Sequence, residues 1–362
     1  MTSLKLTTLQ GNLKAQKIEA LLISEPSNVV YLTGFHSSNS YVLMAGEKTY
    51  LLTDQRYEIA AKKITKELKI STLIFKSGFI KDLEKVLKKN GIKKLHYEAK
   101  NLTVLFHQNL KKNLDGISLK PSTNFIEQLR LSKDEEELKK LQKAQDITDK
   151  VFAKLKTSIK IGQTEKELAW EIEQLGREFG ADDISFEPIV AFEENSAIPH
   201  HHPTDKKLKK GDVILIDMGH KFQDFCSDMT RMLFTQKPTA QQELVYNTVL
   251  KAQNQAIEIS KNAHLCSEPD REARKIIDDA GFKGKFTHSL GHGIGLDVHE
   301  SPGISIMSTQ KIAPKTVFTV EPGIYLENEF GVRIEDMIYK NGTKIINLTR
   351  SPKKLQDCLI NI

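Results

Sequence analysis

The chain has 362 residues, of which 39% are hydrophobic and 28% charged, with a formal net charge of +6. A chain of this length and composition can bury more than one core, which predicts two domains. No apolar run approaches the roughly 20 residues of a membrane span, and the first twenty residues lack the apolar centre of a signal peptide. Its three cysteines do not suggest a disulfide framework, so we expect a cytoplasmic protein without a membrane partner.

Lysines are concentrated in two stretches, residues 81–94 and 206–210, which raises the question of a nucleic-acid interface. Acidic residues occur among and beside these lysines, and no pattern of aromatic side chains for stacking on bases accompanies them. A solvated surface explains both stretches better, so we expect no nucleic-acid partner.

Residues 1–125 alternate strand patterns with helical patterns. Strands are expected at 18–23, 41–53, 72–75, 94–97 and 117–119. Helical patterns lie at 57–68, 80–89 and 102–112. This alternation predicts an α/β domain.

The remainder, residues 126–362, twice shows two helices followed by two strands. Ser132 with Glu135, and Thr164 with Glu167, have the spacing of a capping box and predict two helix starts. Strands are expected at 213–218 and 224–234, helices at 240–260 and 267–280, and further strands at 317–325 and 332–339. The repeated order predicts an α+β domain of two similar halves related by pseudo-symmetry.

Four acidic residues interrupt these otherwise apolar late strands: Asp217, Asp228, Glu321 and Glu335. A turn centred between Phe222 and Gln223 would place Asp217 directly opposite Asp228. A turn near Asn328 would bring the two glutamates together in the same way. Buried carboxylates this close repel each other unless a cation lies between them.

His292 adds an imidazole to the set, and its flanking glycines in G-H-G-I-G leave room to place the ring. Four carboxylates and one imidazole suit Mn²⁺, Co²⁺ or Zn²⁺ better than a thiolate site would. The four negative charges balance two divalent ions, which predicts a two-metal site that activates water as a nucleophile. Any one of these residues alone is more often structural, so the prediction depends on all five occurring together.

The motifs resemble those of the pita-bread metallopeptidases, which include aminopeptidase P, prolidase, methionine aminopeptidase and the creatinases. The first domain contains N-V-V-Y-L-T-G-F (28–35) and L-L-T-D-Q-R-Y (51–57), of a type absent from methionine aminopeptidases. The second contains L-I-D-M-G, S-D-M-T-R, G-H-G-I-G-L-D-V-H-E, T-V-E-P-G-I-Y and G-V-R-I-E-D. The resemblance implies a creatinase-like α/β domain over residues 1–125. It also implies a pita-bread catalytic domain, with a curved and mostly antiparallel sheet, over residues 126–362.

The resemblance also implies a role for each site residue. The metal ligands would be Asp217, Asp228, His292, Glu321 and Glu335, with Asp228 and Glu335 bridging two divalent ions, Mn²⁺ being favoured over Co²⁺ or Zn²⁺. The catalytic and substrate-binding residues would be His200, His288, His299, Glu321 and Arg333. His201 and His202 would be neighbours without a catalytic role. The complete ligand set argues against the metal-free creatinases.

The implied activity is hydrolysis of Xaa-Pro bonds, releasing the N-terminal residue of short proline-containing peptides, by a homodimer. Many prolidases carry an arginine four residues after the histidine of D-V-H-E, where it can bind a dipeptide's free carboxylate. This chain has Gly303 there, which favours an aminopeptidase over a strict Xaa-Pro dipeptidase. The strict dipeptidase stays the main alternative, and a non-catalytic binding protein on the same fold the remote one.

Overall fold

The structure is a computed structural model, and it describes residues 2–360. The chain divides into two compact units, Met1–Leu129 and Arg130–Ile362. The domain boundary expected between residues 125 and 126 stays a prediction. Within the described range, no helix is both long enough and apolar enough to cross a membrane.

The first unit is a mixed six-stranded sheet with helices. Its helices are α1 (Thr2–Ala15), α2 (Pro26–Thr33), α3 (Glu58–Leu68), α4 (Phe79–Lys89), α5 (Val104–Asn113) and, at its end, α6 (Phe125–Arg130). Its strands are β1 (Ala20–Ile23), β2 (Ser40–Ala45), β3 (Lys48–Thr53), β4 (Ser71–Ile74), β5 (Lys94–Glu98) and β6 (Ser118–Ser122). The strand order is β4-β3-β2-β1-β5-β6, with β1–β2 and β2–β3 antiparallel and the other pairs parallel.

The predicted α/β pattern of this unit is confirmed, with two differences. The region expected as strand at 41–53 forms two strands, because Gly46 takes a left-handed conformation (φ +59°) that turns the chain back. Helices α1, α2 and α6 were not predicted. Leu22 and Leu43 of the sheet are fully buried in one apolar cluster with Leu83 of α4 and Leu110 of α5.

The second unit contains four helices and thirteen strands among its described residues. The helices are α7 (Glu135–Ser158), α8 (Glu165–Glu178), α9 (Ala240–Ser260) and α10 (Ser267–Ile277). The strands are β7 (Asp183–Ile184), β8 (Ile189–Phe192), β9 (Val213–Met218), β10 (His220–Phe222), β11 (Phe225–Cys226), β12 (Met229–Phe234), β13 (Gly291–Gly293), β14 (Glu300–Ile304), β15 (Thr316–Val320), β16 (Gly323–Leu326), β17 (Phe330–Arg333), β18 (Asp336–Asn341) and β19 (Lys344–Asn347). The predicted order of two helices followed by strands occurs twice.

All the strand pairs of the second unit that the structure describes are antiparallel. They form sheets ordered β12-β9-β8, β14-β13-β15-β18-β19 and β11-β10-β7, and the hairpin β16-β17. Strand β9 is covered on both faces: Val213 and Leu215 belong to the core with α9 and α10, whereas Ile214 and Ile216 belong to the core with α7 and α8. Burial on both faces explains why this strand is continuously apolar until Asp217.

One predicted capping box is wrong and the other is confirmed. Helix α7 begins after Asp134, whose carboxylate accepts the N–H groups of Glu136 and Glu137, and Glu137 completes the box. Ser132 instead donates its hydroxyl to the carbonyl of Pro314, a tertiary contact with no local signal. Thr164 and Glu167 form the expected box at the start of α8.

The first predicted hairpin register is also wrong. Gln223 and Asp224 both have positive φ values (46° and 74°), so they form the two-residue turn, one position later than expected. Asp217 therefore lies opposite Thr230 rather than Asp228. Residues two apart on a strand share a face, so Asp228 still points to the same side as Thr230 and Asp217. The second hairpin has the expected register, with Val320 opposite Asp336.

A buried histidine joins α7 to the first hairpin. His220 is fully buried, and its Nδ1 lies 2.8 Å from the hydroxyl of Thr148, which lies 2.7 Å from that of Ser227. Its Nε2 lies 3.4 Å from the carbonyl of Ile172, which can only accept a hydrogen bond, so the neutral ring donates from Nε2. Burial lowers the pKa of His220 to about 4.

The low pKa of His220 predicts a loss of stability in acid. Between the unfolded pKa near 6.5 and the folded pKa near 4, the unfolded chain binds a proton that the folded chain does not, so stability falls as pH falls. We expect His220 to contribute a decrease of about 3 kcal/mol over this window. Urea unfolding of metal-free protein at pH 7 and pH 4.5 should show a smaller decrease in His220→Asn. The exposed His264 provides the control, and equal decreases in His220→Asn and His264→Asn would contradict the prediction.

Candidate active site

The nine residues assigned to the site by the sequence line one cavity of about 560 Å³ in the second unit. They are Asp217, Asp228, His292, Glu321, Glu335, His200, His288, His299 and Arg333. Ligand-type atoms of Asp228, His292 and Glu335 all lie within 4.8 Å of one another. The Nε2 atom of His292 is 3.5 Å from Asp228 and 3.3 Å from Glu321. The structure brings the nine residues together, and their roles stay predictions.

His292 presents one defined nitrogen to these carboxylates. Its Nδ1 lies 3.1 Å from the carbonyl of Gly293 and must donate to it, so Nε2 is the ring nitrogen that faces the acidic residues. Both flanking glycines allow close backbone approach. A Cβ atom on Gly291 would collide with the backbone of Thr319, and one on Gly293 would collide with that of Ser301.

Two buried carboxylate oxygens have no hydrogen-bond partner among the described residues. These atoms are Oδ1 of Asp217 and Oε1 of Glu335. Burial and the charge of Glu335 raise the pKa of Asp228 well above its usual range, and burial and the charge of Glu321 do the same for Glu335. Unpaired oxygens among mutually repelling carboxylates fit divalent cations, so the residues present suit the metal that the sequence predicts.

Glu321 differs from the other carboxylates because it lies beside an imidazole. Burial opposes its ionisation, but the hydrogen bond and charge of His292 lower the pKa of Glu321 to about 2. The hydroxyl of Thr319 also lies 3.2 Å from its Oε1. Of the four carboxylates, Glu321 is therefore the one whose pKa is lowered.

Arg333 is buried and connects three strands around the cavity. Its Nη2 donates to Asp217 at 2.6 Å, its Nη1 to the hydroxyl of Tyr325 at 2.9 Å, and its Nε to the hydroxyl of Thr230 at 3.0 Å. Thr230 in turn donates to Oε2 of Glu335 at 2.8 Å. Arg333 thus neutralises part of the acidic charge and fixes the orientation of two predicted ligands.

His288 lies at the end of this hydrogen-bond chain. Its Nδ1 donates to the carbonyl of Ser289 at 2.8 Å, so its Nε2 accepts the hydroxyl proton of Tyr325 at 2.8 Å. Burial lowers the pKa of His288, which favours the neutral ring. The ring of His299 packs edge-on against that of His292, with 4.2 Å between the centroids.

The three consecutive histidines have different surroundings. His200 is exposed and faces the cavity. His201 is buried, and its Nε2 lies 2.9 Å from the carboxylate of Glu165, which is fully buried. His202 is 84% exposed and lies 3.6 Å from a carboxylate oxygen of Glu187.

Sequence reasoning missed several residues that hold the site in place: Thr230, Thr319, Tyr325 and Glu165. A signal for the two threonines was present, because Thr230 lies two residues after Asp228 and Thr319 two residues before Glu321. Residues two apart on a strand share a face. Glu165 had no such signal, because its partners lie about 30–40 residues away in sequence.

The chain matches two protein families over most of its length. Residues 139–340 match metallopeptidase family M24, and residues 5–132 match the creatinase/prolidase N-terminal domain. An uncharacterized peptidase of Bacillus subtilis is 36% identical, with 97% of this chain and 98% of the relative aligned. An Xaa-Pro dipeptidase of Pyrococcus horikoshii is 37% identical, with 93% of this chain and 94% of the relative aligned.

Solved structures agree with these sequence matches. An Xaa-Pro dipeptidase from Bacillus anthracis superimposes with a TM-score of 0.93 at 31% identity, covering 99% of this chain and all of the other. An X-Pro aminopeptidase from Thermotoga maritima gives 0.87 at 33% identity, covering 96% of this chain and all of the other. The α/β creatinase-type domain and the pita-bread catalytic domain that the motifs predicted are confirmed. The chain therefore belongs to metallopeptidase family M24 and is a metallopeptidase with a creatinase/prolidase N-terminal domain.

Proposed function

We propose that this metallopeptidase hydrolyses Xaa-Pro bonds and releases the N-terminal residue from short peptides, including dipeptides. Two divalent ions, Mn²⁺ in preference to Co²⁺ or Zn²⁺, would be held by Asp217, Asp228, His292, Glu321 and Glu335. The observation that carries the proposal is the convergence of this ligand set, with two unpartnered carboxylate oxygens, on one cavity. Relatives described as Xaa-Pro dipeptidases and X-Pro aminopeptidases support the substrate class. The preference for Mn²⁺ and the homodimer rest on the family resemblance alone.

Divalent ions bound to the five ligands would supply Lewis acidity that activates a water molecule and polarises the scissile carbonyl. The chain's own residues then move protons and stabilise charge. Glu321 lines the cavity beside His292, where its carboxylate can take the proton of the attacking water and pass it to the proline nitrogen as that nitrogen leaves. The nitrogen of an Xaa-Pro bond carries no hydrogen in the peptide. The proton from Glu321 therefore becomes the N–H of the released proline.

The histidines on the cavity wall are assigned to the substrate. His299 would donate a hydrogen bond to the carbonyl oxygen as it becomes negative. His200 faces the same space and would contact the peptide. Apolar side chains of Phe186, Ile189 and Val298 also line the cavity and could contact a proline ring.

Removing one carboxylate of the proposed bridging pair should release metal without unfolding the chain. We expect Asp228→Asn and Glu335→Gln each to lose at least one bound ion and nearly all activity. Both carboxyls repel their neighbours when buried, so the metal-free variants should melt no lower than metal-free wild type. Metal analysis after dialysis against Mn²⁺ measures this, with the exposed Glu327→Gln as control. Full metal content in Glu335→Gln would refute the bridging assignment.

His299→Ala should lower kcat far more than it raises KM. Its proposed hydrogen bond forms only as the oxyanion develops, so its loss should decrease kcat by about 10²–10³. The matched control is His202→Ala, because His202 is exposed and, among the residues that the structure describes, its imidazole has only Glu187, at 3.6 Å, as a charged partner. Steady-state kinetics on a short Xaa-Pro peptide with saturating Mn²⁺ compares them. Equal kcat values for the two variants would show that His299 does not stabilise the oxyanion.

The residue at position 303 should determine whether the enzyme prefers dipeptides or longer peptides as substrates. It lies opposite His292 in the β13–β14 pair, lines the cavity, and a Cβ atom built on it meets nothing within 4 Å. We expect wild type to prefer Ala-Pro-Ala over Ala-Pro in kcat/KM. Gly303→Arg should shift this ratio toward Ala-Pro by about tenfold, since a charge-assisted hydrogen bond to the free carboxylate becomes available.

Gly303→Gln is the control for this experiment, because it adds a polar, hydrogen-bonding side chain without charge. Cleavage of Ala-Pro alone by wild type would favour the strict dipeptidase instead. Cleavage of neither peptide, with metal bound, would favour a non-catalytic binding protein.

A further inference from the structure

His299 owes its position to its backbone. Within residues 2–360, no hydrogen bond to its imidazole is found, and its main ring contact is the edge-on packing against His292. Because no hydrogen bond fixes this ring, its position depends on the position of the His299 backbone. Contacts made by the neighbouring residues in sequence therefore affect the orientation of the imidazole.

Two carboxylates on either side of His299 are held by two basic residues from the start of the second unit. Arg130 Nη2 donates to Asp297 at 2.6 Å and to Glu300 at 2.5 Å. Lys133 forms an ion pair with the other oxygen of Glu300 and donates to the Arg130 carbonyl at 2.6 Å. We call Arg130, Lys133, Asp297 and Glu300 the ion cluster. The side chains of Arg130, Lys133 and Glu300 are only 5%, 2% and 7% exposed.

The ion cluster is balanced in charge, and three of its four side chains are shielded from solvent. Two positive groups face two negative groups, so removing one leaves an uncompensated charge in a largely buried site. A Cβ atom on Gly295 would collide with the carboxylate of Glu300, so the G-H-G-I-G motif ends in the residue that makes room for this contact. The N–H of Gly295 also donates to the carbonyl of Asp297 at 3.1 Å, which closes the loop before His299.

The basic side of the ion cluster is itself anchored to the segment that precedes β15. The N–H of Lys133 donates to the carbonyl of Lys315 at 2.8 Å, and the hydroxyl of Ser132 donates to the carbonyl of Pro314 at 2.8 Å. Residues 314–315 lead directly into β15, and Glu321 follows the end of that strand. The segment 130–133 thus connects the strand before Glu321 to the backbone around His299.

We propose that Arg130 and Lys133 are positioning residues that fix the imidazole of His299 relative to the carbonyl oxygen of the substrate. They hold Asp297 and Glu300, two residues before and one residue after His299, and they are not among the residues that line the cavity. The proposal rests on the proposed function for the role of His299. The ion cluster that holds the backbone around His299 is therefore separate from the imidazole that would contact the substrate.

Arg130→Lys tests the proposal in two backgrounds. Lysine keeps the charge but lacks the planar fork that reaches two carboxylates at once. We expect kcat to fall about tenfold in wild type, with KM little changed, because displacement of a catalytic group by a fraction of an ångström is costly. In the His299→Ala background the same change should alter kcat by less than about twofold, because the group that it positions is absent.

The control is Arg350→Lys, which makes the same substitution in an ion pair with Asp146 (3.2 Å) away from the cavity and should leave kcat unchanged in both backgrounds. An equal loss for Arg130→Lys in both backgrounds would overturn the proposal, since a general structural defect adds to His299→Ala. Unchanged kcat in the wild-type background would also overturn it.

Hydrogen exchange of metal-free protein gives a readout that does not depend on activity. Amides of residues 295–301 should exchange faster in Arg130→Lys by about tenfold, whereas those of β9 should not change. If Arg130→Lys fails to fold, Asp297→Asn replaces it, because Asp297 is 42% exposed and its loss leaves the Glu300 contacts intact. Unchanged exchange at 295–301 in the folded variant refutes positioning. Absence of Xaa-Pro hydrolysis by wild type would instead refute the proposed function and leave this exchange result standing.

Discussion

The catalytic unit is organised around the repulsion between four carboxylates that share one cavity. Asp228 and Glu335 carry pKa values raised by burial and by their acidic neighbours, so without a cation they tend to remain protonated. A divalent ion removes this repulsion and binds the ionised forms, so metal binding must be coupled to proton release. Among the described residues, one carboxylate oxygen of Asp217 and one of Glu335 have no hydrogen-bond partner, so protein groups alone do not compensate the buried carboxylates.

The two structural halves of the unit meet at this centre, and several contacts there join one half to the other. Asp217 from the first half binds Arg333 from the second, and Thr230 from the first binds both Arg333 and Glu335. Asp228 likewise approaches His292. Neither half contains a complete site. The apolar cores that pack against β9 and β15 therefore also hold the ligand set together.

Much of this arrangement could be predicted from the sequence because it follows from periodicity. Apolar strands that end in Asp217 and Glu321, with partners one hairpin away, were visible in the strand pattern alone. The turn at Gln223–Asp224 was placed one residue early, because positive φ values at two non-glycine residues give little signal. Contacts such as Thr148 with His220 join residues 72 positions apart, and no local pattern indicates them.

Placing buried charged groups behind the histidines that line the cavity has a physical advantage. His200 and His299 face the cavity, where an imidazole must stay available for substrate instead of satisfying its own hydrogen bonds internally. Their rigidity must then come from neighbouring residues. Glu165 accepts five hydrogen bonds from the segment 192–204 around His200, and Arg130 donates to carboxylates on both sides of His299. Fixing the loop through groups that never meet the substrate keeps the reactive side chain both preorganised and unoccupied.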